Sequence, residues 1–497
     1  MPECLRFRLR FIIVYLPDLH GLFIRERRKT LNPAILDRLA AIVGPENLAT
    51  SPEECACYAY DGTGQEFPPA AVAFPGSTEE ISAIMRLASE YRLPVVPRGA
   101  GTGMSGGALA VAGGLVLACS RLNRIVEIDP INQVAVVEPG VITADLQAEV
   151  NRLGLAYPPD PASSKFCTVG GNVAECAGGP GAVKYGVTRD YVLGLEAVLA
   201  SGEIIHTGVR TAKGVVGYDL TRLLVGSEGT LAIITRITLR LLPRPPARAT
   251  LLLPCASIET ATSLVATILR RHTPAMLEYL DATALDIVRP MLPDALPAAT
   301  RALLLLELDG SEQGVAAQTA SLRDFLAGQP GLLELRTAAT PAEAEVLWRA
   351  RRAISPAAFN LRPHKLSEDV VVPKSRIPEL VAFTEQLASR YRLPIFTFGH
   401  AGDGNIHVNI MLDRDQPTER AGAEAAKAAL FAEVLRLNGT LSGEHGVGIT
   451  KAPFIALEID PPTLALMRAV KHAFDPLNIL NPGKIFPAAT MASPENH

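Results

Sequence analysis

Pro97-Arg98-Gly99-Ala100-Gly101-Thr102-Gly103-Met104-Ser105-Gly106-Gly107 is the stretch on which the fold turns. It holds a literal G-x-G-x-x-G at 101–106, and Pro94-Val95-Val96-Pro97 before it reads as a strand. A Rossmann dinucleotide fold would need this loop to open a helix whose N-terminus meets a pyrophosphate. Instead Ala108 to Gly114 ends in two glycines and leads into a further strand, so the Rossmann reading is rejected. The alternative is a loop without a helix. Consecutive glycines let backbone N–H groups converge on an anion, and Thr102 and Ser105 add hydroxyl donors. A second glycine-rich stretch runs from Thr168 through Gly170, Gly171 and Asn172 to Gly178-Gly179. Two such stretches suggest one long, phosphate-bearing ligand gripped at two places. A third, Gly226-Ser227-Glu228-Gly229-Thr230, opens an apolar strand. A mobile surface loop would explain any one of the three, but not their recurrence.

A second feature carries chemistry. His400 and His407 flank Ala401-Gly402-Asp403-Gly404-Asn405, and Ser442-Gly443-Glu444-His445-Gly446 follows. Asp-Gly is a pair that two-residue type I′ hairpin turns prefer, because both central residues need positive φ. With Asp403-Gly404 as that turn, His400 stands directly opposite His407, and Phe398 opposite Asn409. Opposed side chains share a face, with Cβ atoms roughly 4.5–5.5 Å apart. Two imidazoles so placed can bind one metal ion, with Glu444 as a third ligand and one position left open. A hydrogen-bonded histidine pair is the structural alternative.

The chain has 497 residues, 48% apolar and 20% charged, enough for roughly three domains with sizeable cores. A net charge of −4 gives no reason to expect nucleic acid or an anionic membrane as partner. Seven cysteines, at 4, 55, 57, 119, 167, 176 and 255, form no C-x-x-C pair. They suggest neither an iron–sulfur cluster nor a structural zinc, and fit reduced thiols in a cytoplasmic protein. Arg6, Arg8 and Arg10 precede a short apolar run, Phe11 to Leu16, that Pro17-Asp18 interrupts. Residues 1–30 therefore read as an extension outside the fold rather than a signal peptide. No window is apolar enough for a membrane span.

Periodicity predicts helices over 31–43, ending at Gly44-Pro45, and over 78–91, with Thr78 as N-cap and acids in its first turn. Strands are predicted at 70–75, 115–118 and 134–137, a helix at 142–153, and further strands at 193–206 and 230–241. Pro243, Pro245 and Pro246 mark a boundary. From 248 to 395 strands alternate with helices, as in an α/β domain. The histidine hairpin, a helix over 419–437 and one near 461–473 complete the chain.

Taken in order, PRGAGTGMSGG, CTVGGNVAECAGGP with KYG, and GSEGTLAIIT resemble the flavin-binding domain of the vanillyl-alcohol-oxidase type FAD-linked oxidoreductases. GHAGDGNIHVN, SGEHGVG and FDPLNILNPGK are similar to its 2-hydroxy-acid branch, which includes the FAD subunit of glycolate oxidase, D-lactate dehydrogenases and D-2-hydroxyglutarate dehydrogenase. The likeness runs from about residue 45 to 486. It implies an α+β fold: an N-terminal extension and helix (1–45), a two-subdomain FAD-binding domain (46–245), an α/β cap (246–415) and a C-terminal helical segment returning to the flavin (416–497).

The resemblance also implies residue roles. FAD would be held by Arg98, Gly99, Gly101, Thr102, Gly103, Ser105, Gly106, Thr168, Gly170, Gly171, Asn172, Glu228, Gly229, Ile234 and Asn481. Covalently flavinylated members carry a histidine near Thr102, so FAD is expected to be non-covalent; Cys167 is read as packing. His400, His407 and Glu444 would bind a divalent metal, which this donor set leaves open among zinc, manganese and iron. Arg351, on one helical face with Trp348, would grip the substrate carboxylate. Asn409 would contact substrate, and His445 would take the hydroxyl proton. Lys365 falls near a second anion contact, one residue out of register with Arg351.

The expected activity is oxidation of a small D-2-hydroxy acid, of the glycolate or D-lactate type, to the 2-oxo acid. FAD-binding and iron–sulfur partner subunits are the expected electron acceptors. They would hold a cytoplasmic chain at the periphery of the inner membrane. Two other classes compete. A non-catalytic FAD-binding subunit should lack the paired histidines and Glu-His. A flavin-free metal-dependent hydrolase leaves the glycine stretches unexplained.

Overall fold

A computed structural model describes residues 30–292 and 295–487. The expectation of an extension over residues 1–30 falls almost wholly outside the described residues. The first described helix, Pro33–Val43, is capped by the Asn32 side chain and stopped by Gly44 at φ 85°. The helix Thr78–Tyr91 is capped by Ser77, not by Thr78. Ser77 has extended backbone and accepts from Glu80 N, whereas Thr78 is already helical. The Thr78 hydroxyl instead donates to Glu196 at 2.7 Å.

Among the described residues three larger sheets organise the chain, beside a two-stranded one of Leu155–Ala156 and Leu242–Pro243. In the first, Leu48–Ala49, Ala71–Ala73, Leu115–Ala118 and Val95–Arg98 lie in that order, the last three parallel. No helix stands between Val95–Arg98 and Leu115–Ala118, as the rejection of a Rossmann unit requires. The second glycine stretch differs from the first: Val169–Glu175 is a short helix with Thr168 as its cap. The second sheet is antiparallel, in the order Ile125–Asp129, Val134–Val137, Ile233–Arg240, Val192–Val198, Ile204–Gly208.

The third sheet has seven strands: Arg336–Thr337, Ala247–Cys255, Ala302–Gly310, Met276–Leu280, Ile395–His400, Asn405–Leu412 and His364–Val371. Strands and helices alternate in sequence, as read, but every pairing in this sheet is antiparallel. Its two faces divide by the period of two. Leu251, Leu253, Leu277, Leu304, Leu306, Ile406 and Val408 are buried on one face. Each such fully buried side chain contributes about 1.5–3 kcal/mol. Leu252, Leu303, Leu305, Phe396 and Phe398 lie on the other, packed with Leu347, Trp348 and Ile354 of the helix Pro341–Ala357. That second face also carries, by the same alternation, Arg248, Thr250, Glu278, Glu307, Ser367, Asp369, His400, His407 and Asn409.

The histidine hairpin has a different register from the one expected. Phe398 pairs with His407, Phe396 with Asn409, and His400 with Asn405. The connection is the four residues Ala401–Gly404, in which Gly404 alone takes positive φ (93°). Asp403 N and Gly404 N both turn back to His400 O, and the Asp403 carboxylate accepts from Asn405 N at 3.1 Å. The slip is two residues, so His400 and His407 become diagonal neighbours yet keep one face.

Candidate active site

A single cavity of about 1230 Å³ lies between the glycine stretches and the polar face of the seven-stranded sheet. It exceeds the roughly 300–1,000 Å³ of ordinary small-molecule pockets. The three glycine stretches meet along one wall. A Cβ at Gly99 would run into Thr168 Oγ1, and one at Gly229 into Pro97. At Gly101, φ is 67° and a Cβ would strike the Arg98 guanidinium. Glycine at these positions lets the stretches pack directly on one another, which leaves a wall with exposed backbone that a ligand can approach closely.

Of the residues expected to hold FAD, Arg98, Gly99, Gly101, Thr102, Gly103, Thr168, Gly170, Gly171, Asn172, Glu228, Gly229 and Ile234 line the cavity. Three do not. Ser105 is wholly buried, its hydroxyl has no partner, and its carbonyl accepts from Ile449 N at 2.8 Å. Gly106 packs against Ile449, which a Cβ there would meet at 2.5 Å. Asn481 lies behind the wall and donates to the carbonyls of Gly107 (2.8 Å) and Glu228 (2.7 Å). It ties two of the loops together from outside the cavity.

On the opposite wall, His400, His407 and Glu444 bring ligand atoms within 4.8 Å of one another. His400 Nε2 is 3.3 Å and His407 Nε2 3.6 Å from Glu444 Oε1. The other ring nitrogen of His400 meets Glu278 Oε1 at 2.7 Å. A carboxylate behind a ligating imidazole fixes its ring orientation and raises its basicity. Burial, then the charge on His400, depress His407 to about 3, so its imidazole is neutral at pH 7. Burial opposes the charged form of His400, yet Glu278 and Glu444 hold it well above the usual range. Burial raises Glu444 too, but His400 outweighs it and holds that carboxyl at about 2. A neutral imidazole and a carboxylate are the forms that ligate a cation; at His400 a cation would displace a proton.

Glu278 was not singled out from the sequence. It also holds Arg351, whose Nε (2.7 Å) and Nη2 (2.5 Å) both reach Glu278 Oε2. Arg351 is 8% exposed, lies over the Phe398 ring at 4.5 Å and lines the cavity. Arg349, two residues earlier on the same helix, is by contrast exposed. Trp348, one turn earlier, donates to Glu307 Oε2 at 3.1 Å.

A second residue not foreseen, Asp369, builds the Glu444-His445 turn. Its Oδ2 accepts from the backbone N–H groups of Gly443 (2.9 Å), Glu444 (2.6 Å) and His445 (2.9 Å). Its other oxygen takes Lys451 Nζ and lies 3.3 Å from His445 Nδ1. Burial works against this charge, but His445, Lys451 and the Glu444 N–H hold Asp369 well below the carboxylate range. The His445 ring stacks on His407 at 5.5 Å and faces the cavity. Both missed acids left a trace: Glu278 interrupts the apolar strand Met276–Leu280, and Glu368-Asp369 leads into Val370-Val371-Val372.

Asn409 does not reach the cavity. It is fully buried, and its Oδ1 accepts from Ser367 at 3.1 Å, while Ser367 itself lines the cavity. Lys365 donates to Ser355 Oγ at 2.6 Å, and burial lowers its pKa to about 8.

Comparison with known proteins identifies the family. The FAD binding domain model matches residues 69–208, and that of the FAD linked oxidases, C-terminal domain, matches 244–485. The glycolate oxidase subunit GlcD of Bacillus subtilis is 44% identical, over 91% of this chain and 96% of that protein. The D-lactate dehydrogenase of Anaerostipes hadrus is 36% identical over 82% of this chain and 88% of its own length. Substrate-bound p-cresol methylhydroxylase shares the fold at 19% identity, with a TM-score of 0.78 over 92% of this chain and 97% of that one. The flavin-free hydrolase reading falls with these matches. Among the described residues no helix is long and apolar enough to cross a membrane. This chain belongs to the FAD-linked oxidases, in the branch that holds the GlcD subunits and D-lactate dehydrogenases.

Proposed function

We propose that this chain is the catalytic flavoprotein of a 2-hydroxy-acid dehydrogenase, acting on a short D-acid of the glycolate or D-lactate type. The observation that supports it is one shared cavity. The glycine walls stand on one side, and Arg351, His400, His407, Glu444 and His445 on the other. FAD bound along the glycine walls supplies an acceptor for the hydride of the α-carbon. A divalent cation held by His400, His407 and Glu444 supplies Lewis acidity that makes the hydroxyl proton easier to remove.

The remaining roles belong to side chains. Arg351 binds the carboxylate and orients the α-carbon. Its Nε and one donor of Nη2 are committed to Glu278, which leaves the Nη1/Nη2 edge for a bidentate grip. His445, whose ring faces the cavity, accepts the hydroxyl proton as general base. Asp369 sets where His445 stands by binding its backbone N–H. Asn409 acts through Ser367 rather than on the substrate directly. A non-catalytic role leaves this set of groups without a purpose. Because relatives are named as subunits of glycolate oxidase, we place FAD-binding and iron–sulfur partners downstream as electron acceptors, with the chain peripheral to the inner membrane.

A steady-state screen of short 2-hydroxy acids with a dye acceptor tests the reading. At least one D-acid should bleach the flavin and sustain turnover; no bleaching by any would end it. The purified protein should be yellow, and its flavin should enter solution on acid or heat denaturation, since Thr102 stands where covalently flavinylated members of the family carry a histidine. Flavin that stays with the denatured chain would overturn the non-covalent assignment alone.

A further inference from the structure

Glu175 ends the short helix Val169–Glu175 and lines the cavity between the first glycine loop and the Glu444–Gly448 turn. Its Oε1 would be 2.7 Å from a Cβ on Gly107 and 3.9 Å from one on Gly103, and its Oε2 would touch one on Gly446. Three glycines thus open the space around one carboxyl. Oε2 is buried against Gly446 and has no hydrogen-bond partner, so Oε1, beside the cavity-lining Gly103 and Gly107, is the oxygen turned to a ligand. A second buried carboxyl stands close by: Glu228 Oε1 would be 3.0 Å from the same Gly446 Cβ. The two differ in their partners. Burial raises Glu228 as well, but it accepts from Val447 N and Gly448 N, both at 2.7 Å, and these bonds work toward its charged form, whereas Glu175 Oε2 has none.

We propose that the Glu175 carboxyl positions FAD by donating a hydrogen bond to it through its own O–H. This rests on FAD occupying the cavity, as set out above. The groups around Glu175 come from every element packed on it. They are Asp61 before the first glycine loop, Glu228, Asp369 on the strand His364–Val371, Lys451 and Lys484. Lys451 is already paired with Asp369, and Lys484 is bound to Leu109 O and Asn481 Oδ1. Burial first, then the negative charges of Glu228, Asp61 and Asp369, raise Glu175 well above the usual carboxylate range. A charged Glu175 would add a further anion to Glu228, Asp61 and Asp369 beside a cradle built for a phosphate-bearing ligand. A neutral one offers that ligand a donor.

The sign of the pH dependence follows. The protonated form binds FAD better, so affinity is full at low pH and declines as pH rises through the elevated pKa of Glu175. FAD titration of the full-length apoprotein, followed by flavin fluorescence at a series of pH values, reads this without turnover. In wild type Kd should rise with pH. In Glu175→Gln, which keeps an N–H donor and cannot titrate, Kd should stay flat and close to the low-pH wild-type value. In Glu175→Leu, FAD should bind about two- to tenfold more weakly at low pH, the value of one neutral hydrogen bond. A wild-type Kd that does not change with pH, or a Glu175→Gln profile that matches wild type, would overturn the proposal. An infrared readout on wild type is independent of any variant's folding. It should show a protonated-carboxyl C=O band that shifts on FAD binding, and the absence of such a band would equally refute the assignment.

Discussion

Exhaustive chelation of the wild-type protein should abolish turnover and leave the flavin bound, and re-adding a divalent cation should restore activity. His407→Ala should behave as the chelated protein does and resist rescue. The reason is the separation of the two walls. His400 and His407 stand on strands of the seven-stranded sheet, whereas Glu444 packs against Gly178 of the second glycine stretch, so His407→Ala is the change that leaves the glycine walls untouched. A Lewis acid contributes several kcal/mol by withdrawing charge from the reacting oxygen. At about 1.4 kcal/mol per tenfold, that is a loss in kcat on the order of a hundred- to ten-thousandfold. Elemental analysis should find one equivalent of metal in wild type and none in His407→Ala. Undiminished turnover by protein shown to be metal-free would remove the cation from the reaction.

Replacing Arg351 by lysine should lower kcat/KM about ten- to a hundredfold for every 2-hydroxy acid that is turned over, the cost of one charge-assisted hydrogen bond of roughly 1.5–3 kcal/mol. Lysine keeps the charge but lacks the planar fork. It also cannot hold Glu278 through two nitrogens while presenting a third donor to the cavity. The stacking of the guanidinium on Phe398 would be lost as well. Arg349→Lys on the same helix is the control and should change little, because Arg349 is exposed and does not line the cavity. If Arg349→Lys proved the damaging change and Arg351→Lys neutral, the carboxylate site would have to be moved off this part of the helix.

The register of the histidine hairpin shows what local sequence can and cannot decide. Asp403-Gly404 suggests a two-residue turn, yet the chain forms a longer one in which Gly404 packs under Val372, where a Cβ would collide with that residue's carbonyl. Contacts with the neighbouring strand His364–Val371, remote in sequence, selected the register. The grouping of His400 with His407 survived because a two-residue slip preserves the face. A one-residue slip would have separated them.

Several features could be read from the chain alone. The helix stop at Gly44, the strands around the glycine loop and the absence of a helix after it depend on neighbours within a few residues, where propensity and backbone sterics act, although the cap of the helix Thr78–Tyr91 fell one residue earlier, on Ser77. The ordered motifs likewise pointed to the flavin-binding family without reference to packing. Other features needed the folded chain. Glu278 reaches His400 across 122 residues, and Asp369 caps a turn 74 to 76 residues away. Ser105, Gly106 and Asn481 sit in motifs that face the flavin site in sequence, but packing against Ile449, Gly107 and Glu228 turns them behind its wall. Sequence by itself determined which residue types cluster in motifs and which share a strand face, because both follow from short-range periodicity. Only the tertiary structure decided which of them reach the cavity and which carboxylates support them, because a buried ion pair forms where distant strands and helices bring two charges out of water together.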